Sequence, residues 1–150
     1  MTYNYSAHFS PKELEWAKNS LQNTRKTFPN INGNGIAFYG QIYDPVQDGS
    51  WDEDDIAMIC ICRHYLLQCD HIKTPTYSTY NLKHRIEEYF AQNGHKSYVH
   101  NGACIVACLS CGFTFKEYSR FSLKVGVSLE SIRKLEIETE ELTALAGISL

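Results

Sequence analysis

The sequence lacks any apolar run approaching the ~18–20 residues that a membrane-spanning helix needs. Met1–Pro11 has no basic stretch followed by an apolar one, so no signal peptide is visible. Both absences lead to the expectation of a cytoplasmic protein that avoids membranes. The six cysteines are then expected as reduced thiols, not as a disulfide framework. Excess basic charge is also missing. Fourteen Lys and Arg against seventeen Asp and Glu give a formal charge of −3, without the overall basic footprint of a phosphate-backbone binder. No Walker motif, dinucleotide fingerprint, HExxH, paired HxT or HxS, or kinase signature occurs. No internal repeat or low-complexity tract is visible.

What is present fits one folded domain spanning residues 1–150. Hydrophobic residues make up 43%, enough for a core, and the 13% aromatic content argues against disorder. Ten tyrosines also suit a surface that binds a partner or a second copy of the chain. The expected architecture is mostly α, with α+β as the alternative: a compact helical domain with one short β-hairpin.

Ser10-Pro11-Lys12-Glu13 carries a capping residue, an N1 proline and a capping-box glutamate, which predicts a helix over Pro11–Thr27, stopped before Pro29. Asn32-Gly33-Asn34-Gly35 reads as a turn. Ile36–Tyr43 reads as a strand, with Phe113–Phe115 as a candidate hairpin partner. The acids Asp52–Asp55 suit a helix N-terminus and lack the alternation and glycine of a calcium loop. The segment behind them, Ile56–Cys69, is apolar on nearly every side and predicts a central helix. Ser78 or Thr79 caps a helix with Leu82, Ile86, Tyr89 and Phe90 on one stripe, ended by Asn93-Gly94. Asn101 is expected to cap an apolar helix over Ala103–Cys111, closed by Gly112. Ser128 caps a last helical region, with a break near Thr139.

Three constellations have the residue types for chemistry. Cys60, Cys62, Cys69 and His71 form the first, but on a helix Cys60 and Cys62 point about 200° apart. The second is the stripe His100, Cys104, Cys108 and Cys111, which rises roughly 16 Å and cannot close on one zinc. Both read as small buried hydrophobes and a close helix-packing seam. No metal or other cofactor is expected; were one held, Cys104, Cys108, Cys60 and His64 are the candidate ligands. Cysteine catalysis needs an exposed thiolate, whereas every cysteine here lies in or beside an apolar run. The third constellation is the densest basic spot, Lys83-His84-Arg85, near Tyr77 and Tyr80. It reads either as a phosphate- and base-binding surface or as a helix face laced by pairs such as Lys83–Glu87. The acidic C-terminal helix, with five glutamates from Glu130 to Glu141, reads as a phosphate mimic, a dock for a basic protein, or a solvated face.

Thr74-Pro75, Tyr77–His84, Tyr98–Ala103 and Gly112-Phe113 together resemble a pattern in small uncharacterised proteins of phages, prophages and plasmids: TP, SSYGLKH, E, YVSNGAFIAAAL, GF. The likeness spans a quarter of the chain; Asn81 stands where the pattern has Gly, and His100 where it has Ser. It implies mobile-element company and no particular activity. The expectation is a non-enzymatic binding protein, akin to anti-CRISPR proteins, that inhibits a host defence complex, protein or ribonucleoprotein, by direct contact. Lys83, His84, Arg85, Tyr77, Tyr80 and Asn101 are its candidate binding residues. The alternatives are a helix-turn-helix nucleic-acid-binding regulator built on Ile56–Gly112, an immunity protein, and a small cysteine- or metal-dependent enzyme.

Overall fold

The computed structural model describes residues 5–36, 50–92 and 98–148. A short 3-10 helix, Tyr5–His8, leads into α1 (Pro11–Thr27), α2 (Glu53–Leu66), β1 (Tyr77–Ser78), α3 (Thr79–Gln92), α4 (Asn101–Ser110), β2 (Phe115–Glu117), β3 (Leu123–Val125) and α5 (Leu129–Ile148). The fold is mostly helical with one small antiparallel sheet, as the sequence predicts.

Local chemistry sets the helix starts. Ser10 Oγ accepts from the Glu13 N–H and Glu13 Oε1 from the Ser10 N–H, closing the predicted capping box at the predicted boundary. Asp52 and Asp55 repeat that box at α2, so the acid run is a cap. Ser78 Oγ accepts from the Asn81 N–H at α3, and Ser128 Oγ from the Ser131 N–H at α5. Two expectations are corrected. The cap of α4 is His100, whose Nδ1 accepts from the Ala103 N–H at 3.0 Å; Asn101 lies inside the helix, its amide engaged elsewhere. The last helix also runs through Thr139 without a break; the Thr139 hydroxyl is satisfied within the helix, donating to the Leu135 carbonyl.

Helix α4 is the centre of the molecule. Every residue from Asn101 to Cys108 is buried, and the helix packs against α1, α2 and α3, most extensively against α2. Ala103, Cys104, Ala107 and Cys108 keep its flank thin, which permits the close approach. Ala57, Cys60 and Cys62 are buried on α2. One hydrophobic cluster draws on all five helices and on Leu123 and Val125 of β3.

The sheet has the order β1–β3–β2, with Tyr77 opposite Val125 and Lys116 opposite Lys124. The hairpin therefore joins 115–117 to 123–125. The expected 36–43 strand lies outside the described residues from position 37 onward. The Asn32–Gly35 turn is as predicted: its ends bridge, and Asn32 Oδ1 accepts from the Asn34 N–H. It lies on the first turn of α4 so tightly that a Cβ on Gly102 would fall 2.0 Å from the Asn32 carbonyl oxygen.

That contact is backbone against helix, so no flexible side chain can yield. Gly102→Ala is expected to destabilise the fold by about 1–3 kcal/mol or more in urea denaturation. Gly112, where an added Cβ meets nothing within 4 Å, differs in kind: its φ of +86° penalises Ala through the backbone alone.

Candidate functional site

The buried polar centre lies where the N-termini of α2 and α4 meet. Asp55 and His100 are 45 residues apart, and Nε2 of His100 sits 3.2 Å from Asp55 Oδ1. Because Nδ1 accepts the Ala103 N–H, the ring carries its proton on Nε2 and donates it to Asp55. Both ring nitrogens are thus engaged. Burial pushes the Asp55 carboxyl up, but hydrogen bonds from His100 and the Asp52 N–H outweigh it and hold it below the ordinary value. Trp51 packs edge-on to the His100 ring at 4.9 Å and donates from Nε1 to the Ile31 carbonyl. Asn101, a candidate binding residue, donates from Nδ2 to the Asn34 carbonyl and to Ser122 Oγ, which places it in this buried network.

The thiols divide between two sides of α2. Cys60 Sγ donates to the Glu13 carbonyl, and His64 pairs with the Glu13 carboxylate at 3.1 Å; both face α1. Cys62 faces α4, where its thiol, Cys104 and Cys108 are buried close enough to influence one another's ionisation. Cys108 and Cys62 favour charge on Cys104 while burial opposes it; burial raises Cys62, and Cys104 together with burial raises Cys108. Burial pushes Cys60 up to about 11 and Cys69 up to about 12. The four candidate ligands Cys60, His64, Cys104 and Cys108 are not brought together, and among the described residues no group of three or more metal-ligating side chains is close enough to hold an ion.

The basic spot on α3 carries its own counter-ions. Lys83 is buried: its Nζ donates to the Val99 carbonyl at 3.3 Å and lies 3.6 Å from Glu87. His84 pairs with Glu87 at 3.0 Å. Arg85 pairs with Glu136 of α5 at 2.8 Å and with Glu88, and donates to the Tyr77 hydroxyl. Arg85 and Glu136 line a cavity of about 110 Å³ with Tyr65 and Tyr89, so this ion pair joins α3 to α5. What remains outward is aromatic. Tyr80 and Tyr98 are 52% and 54% exposed, and both rings lie against the Lys83 ammonium, at 5.7 and 4.9 Å. Sequence reasoning missed Tyr98 as their partner, since only the fold of residues 98–100 onto α3 brings it there.

Comparison with protein-family models, curated proteins and solved structures finds no match to this chain.

Three outcomes follow. His100→Ala removes a cap and strands a buried carboxylate, and is expected to cost about 2–4 kcal/mol; His100→Asn, which restores the cap alone, recovers about 1 kcal/mol in the same denaturation series. The lowered Asp55 value gives stability that is full above the ordinary carboxylate value of about 3.9 and is lost as pH falls through the folded one. Glu13, lowered by the Ser10 N–H and then by His64, acts in the same direction. Melting temperature should fall in acid below about pH 4, less steeply in Asp55→Asn. In native alkylation followed by intact mass, the half-buried Cys111 should react first and Cys62, Cys104 and Cys108 only on unfolding.

Proposed function

We propose that the protein is a non-enzymatic binding protein of a mobile genetic element, which inhibits a host defence complex by docking its Tyr80–Tyr98 face on a protein of that complex. The observation that carries this reading is the state of the basic spot. Its cations are answered by Glu87, Glu88 and Glu136, leaving two exposed tyrosine rings braced by one buried lysine. A neutralised, aromatic, pre-ordered patch suits protein contact, where tyrosine concentrates binding energy, better than it suits a phosphate backbone. The resemblance to phage and plasmid proteins supports the mobile-element setting.

Other assignments find less support. A helix-turn-helix regulator needs an exposed recognition helix, whereas α4 is buried from Asn101 to Cys108. General acid–base chemistry at His100 would need a ring nitrogen that Ala103 and Asp55 already occupy.

The test is capture of the tagged protein from a lysate with active defence complexes, with and without nuclease, read by mass spectrometry. A defence-complex protein retained stoichiometrically after nuclease treatment is the expected result. Tyr80→Ala and Tyr98→Ala should each weaken that capture by roughly 30-fold, with circular dichroism unchanged. Capture that disappears with nuclease, or that ignores both tyrosines, contradicts the reading.

A further inference from the structure

The second face of interest is the outer side of the sheet, and it goes beyond the tyrosine patch because it uses other residues. Six of the fourteen Lys and Arg, but one of the seventeen acids, fall within 71–85 and 112–128. The β1–β3–β2 sheet brings these two segments together, so an acidic chain has a positive pole that no linear stretch reveals. Lys83 and Arg85 are spent internally, as shown above. Lys116 and Lys124 remain on the strands themselves, with Lys73 and Arg120 in the adjoining loops.

Register makes the pole specific. Lys116 stands directly opposite Lys124, and Ser78 stands on the other side of Lys124, so the three form one row across the sheet. Leu123 and Val125 point into the core, so Lys124 and its row face outward. Glu117 sits opposite Leu123, on the other side of the sheet by strand alternation. Like charges directly opposite destabilise a sheet, and no acid lies within ion-pair distance of Lys116 or Lys124 among the described residues. An anion on the row would relieve that repulsion. Aromatic rings are interleaved with the cations. Tyr118, 57% exposed, holds the Lys124 ammonium 4.4 Å from its ring, and Arg120 lies over Phe121 at 5.5 Å.

We propose that this outer face of the sheet binds single-stranded nucleic acid, with phosphates on Lys116 and Lys124 and an unpaired base stacked on Tyr118. An acidic peptide would answer the lysines but gives no role to the interleaved rings. Cations that track a backbone beside rings that take bases are the combination single strands require.

Fluorescence anisotropy of the full chain with labelled 20-nucleotide oligo(dT) and oligo(rU), against a 20-base-pair duplex, tests this. Single strands should bind, with log affinity falling against log salt at a slope of about −1.4 for two phosphate contacts. Lys116→Glu should weaken binding about tenfold at low salt. The same change places an acid opposite Lys124, so its melting temperature should hold or rise. Binding down with stability up separates a binding site from a structural one. Lys124→Gln should also weaken binding, Tyr118→Ala should weaken it about fivefold or more, and Lys134→Glu on α5 should leave it unchanged. Absence of salt-sensitive binding, equal binding of duplex, or indifference to Lys116→Glu and Lys124→Gln would each overturn the proposal. Protein capture through Tyr80 and Tyr98 is read in a separate assay, so either conclusion can fail alone.

Discussion

The structure depends on the close packing of α2 against α4. Small side chains line the contact, and polar groups pin one end of it. Ala103, Cys104, Ala107 and Cys108 let the helices approach, while Asp55 and His100 tie their N-termini together. The pair does three things at once: Asp55 completes the cap of α2, His100 caps α4, and the bond between them fixes the register of the two helices. The Asn32–Gly35 turn closes over the same end, against Gly102, where a methyl group would not fit. Buried polar groups are costly unless satisfied, so this end of the seam has few alternative arrangements.

The same constraint gives the residues best suited to chemistry structural partners. A histidine with both nitrogens engaged holds a helix; thiols shielded from solvent fill the space between two helices. The charges of α3 are similarly turned inward, one lysine beneath two tyrosines and one arginine against α5. The described surface divides by electrostatics. The α3 face is aromatic and its cations are paired, whereas on the sheet face Lys116 and Lys124 have no acid within ion-pair distance among the described residues.

Much of the helical architecture was legible because its signals are local. Ser10, Pro11 and Glu13 mark the start of α1 within four residues, and the acids before Ile56 mark α2. The apolar run 103–108 announced a buried helix, and the stripe of cysteines announced a packing seam. The rest was illegible because it is made by distance. Strands of two or three residues give no alternation to detect, and β3 finds its partners at 77–78 and 115–117. His100 reads as one end of a cysteine stripe, and not as a cap, until Asp55, 45 positions earlier, is placed beside it. The basic spot at 83–85 was visible as composition, but its neutralisation by Glu136 was not. The positive pole of the sheet was hidden for the converse reason: its lysines are scattered in sequence and gathered by strand pairing.

The most direct measurement of this account is native-state hydrogen exchange, resolved by residue. If the α2–α4 seam organises the molecule, the amides of Ile59–Leu66 and Cys104–Cys108 should exchange slowest, with opening free energies equal to that of global unfolding. His100→Ala should lower protection in both helices together. Seam amides that exchange as readily as those of α1 or α5, or helices that lose protection independently, would contradict it.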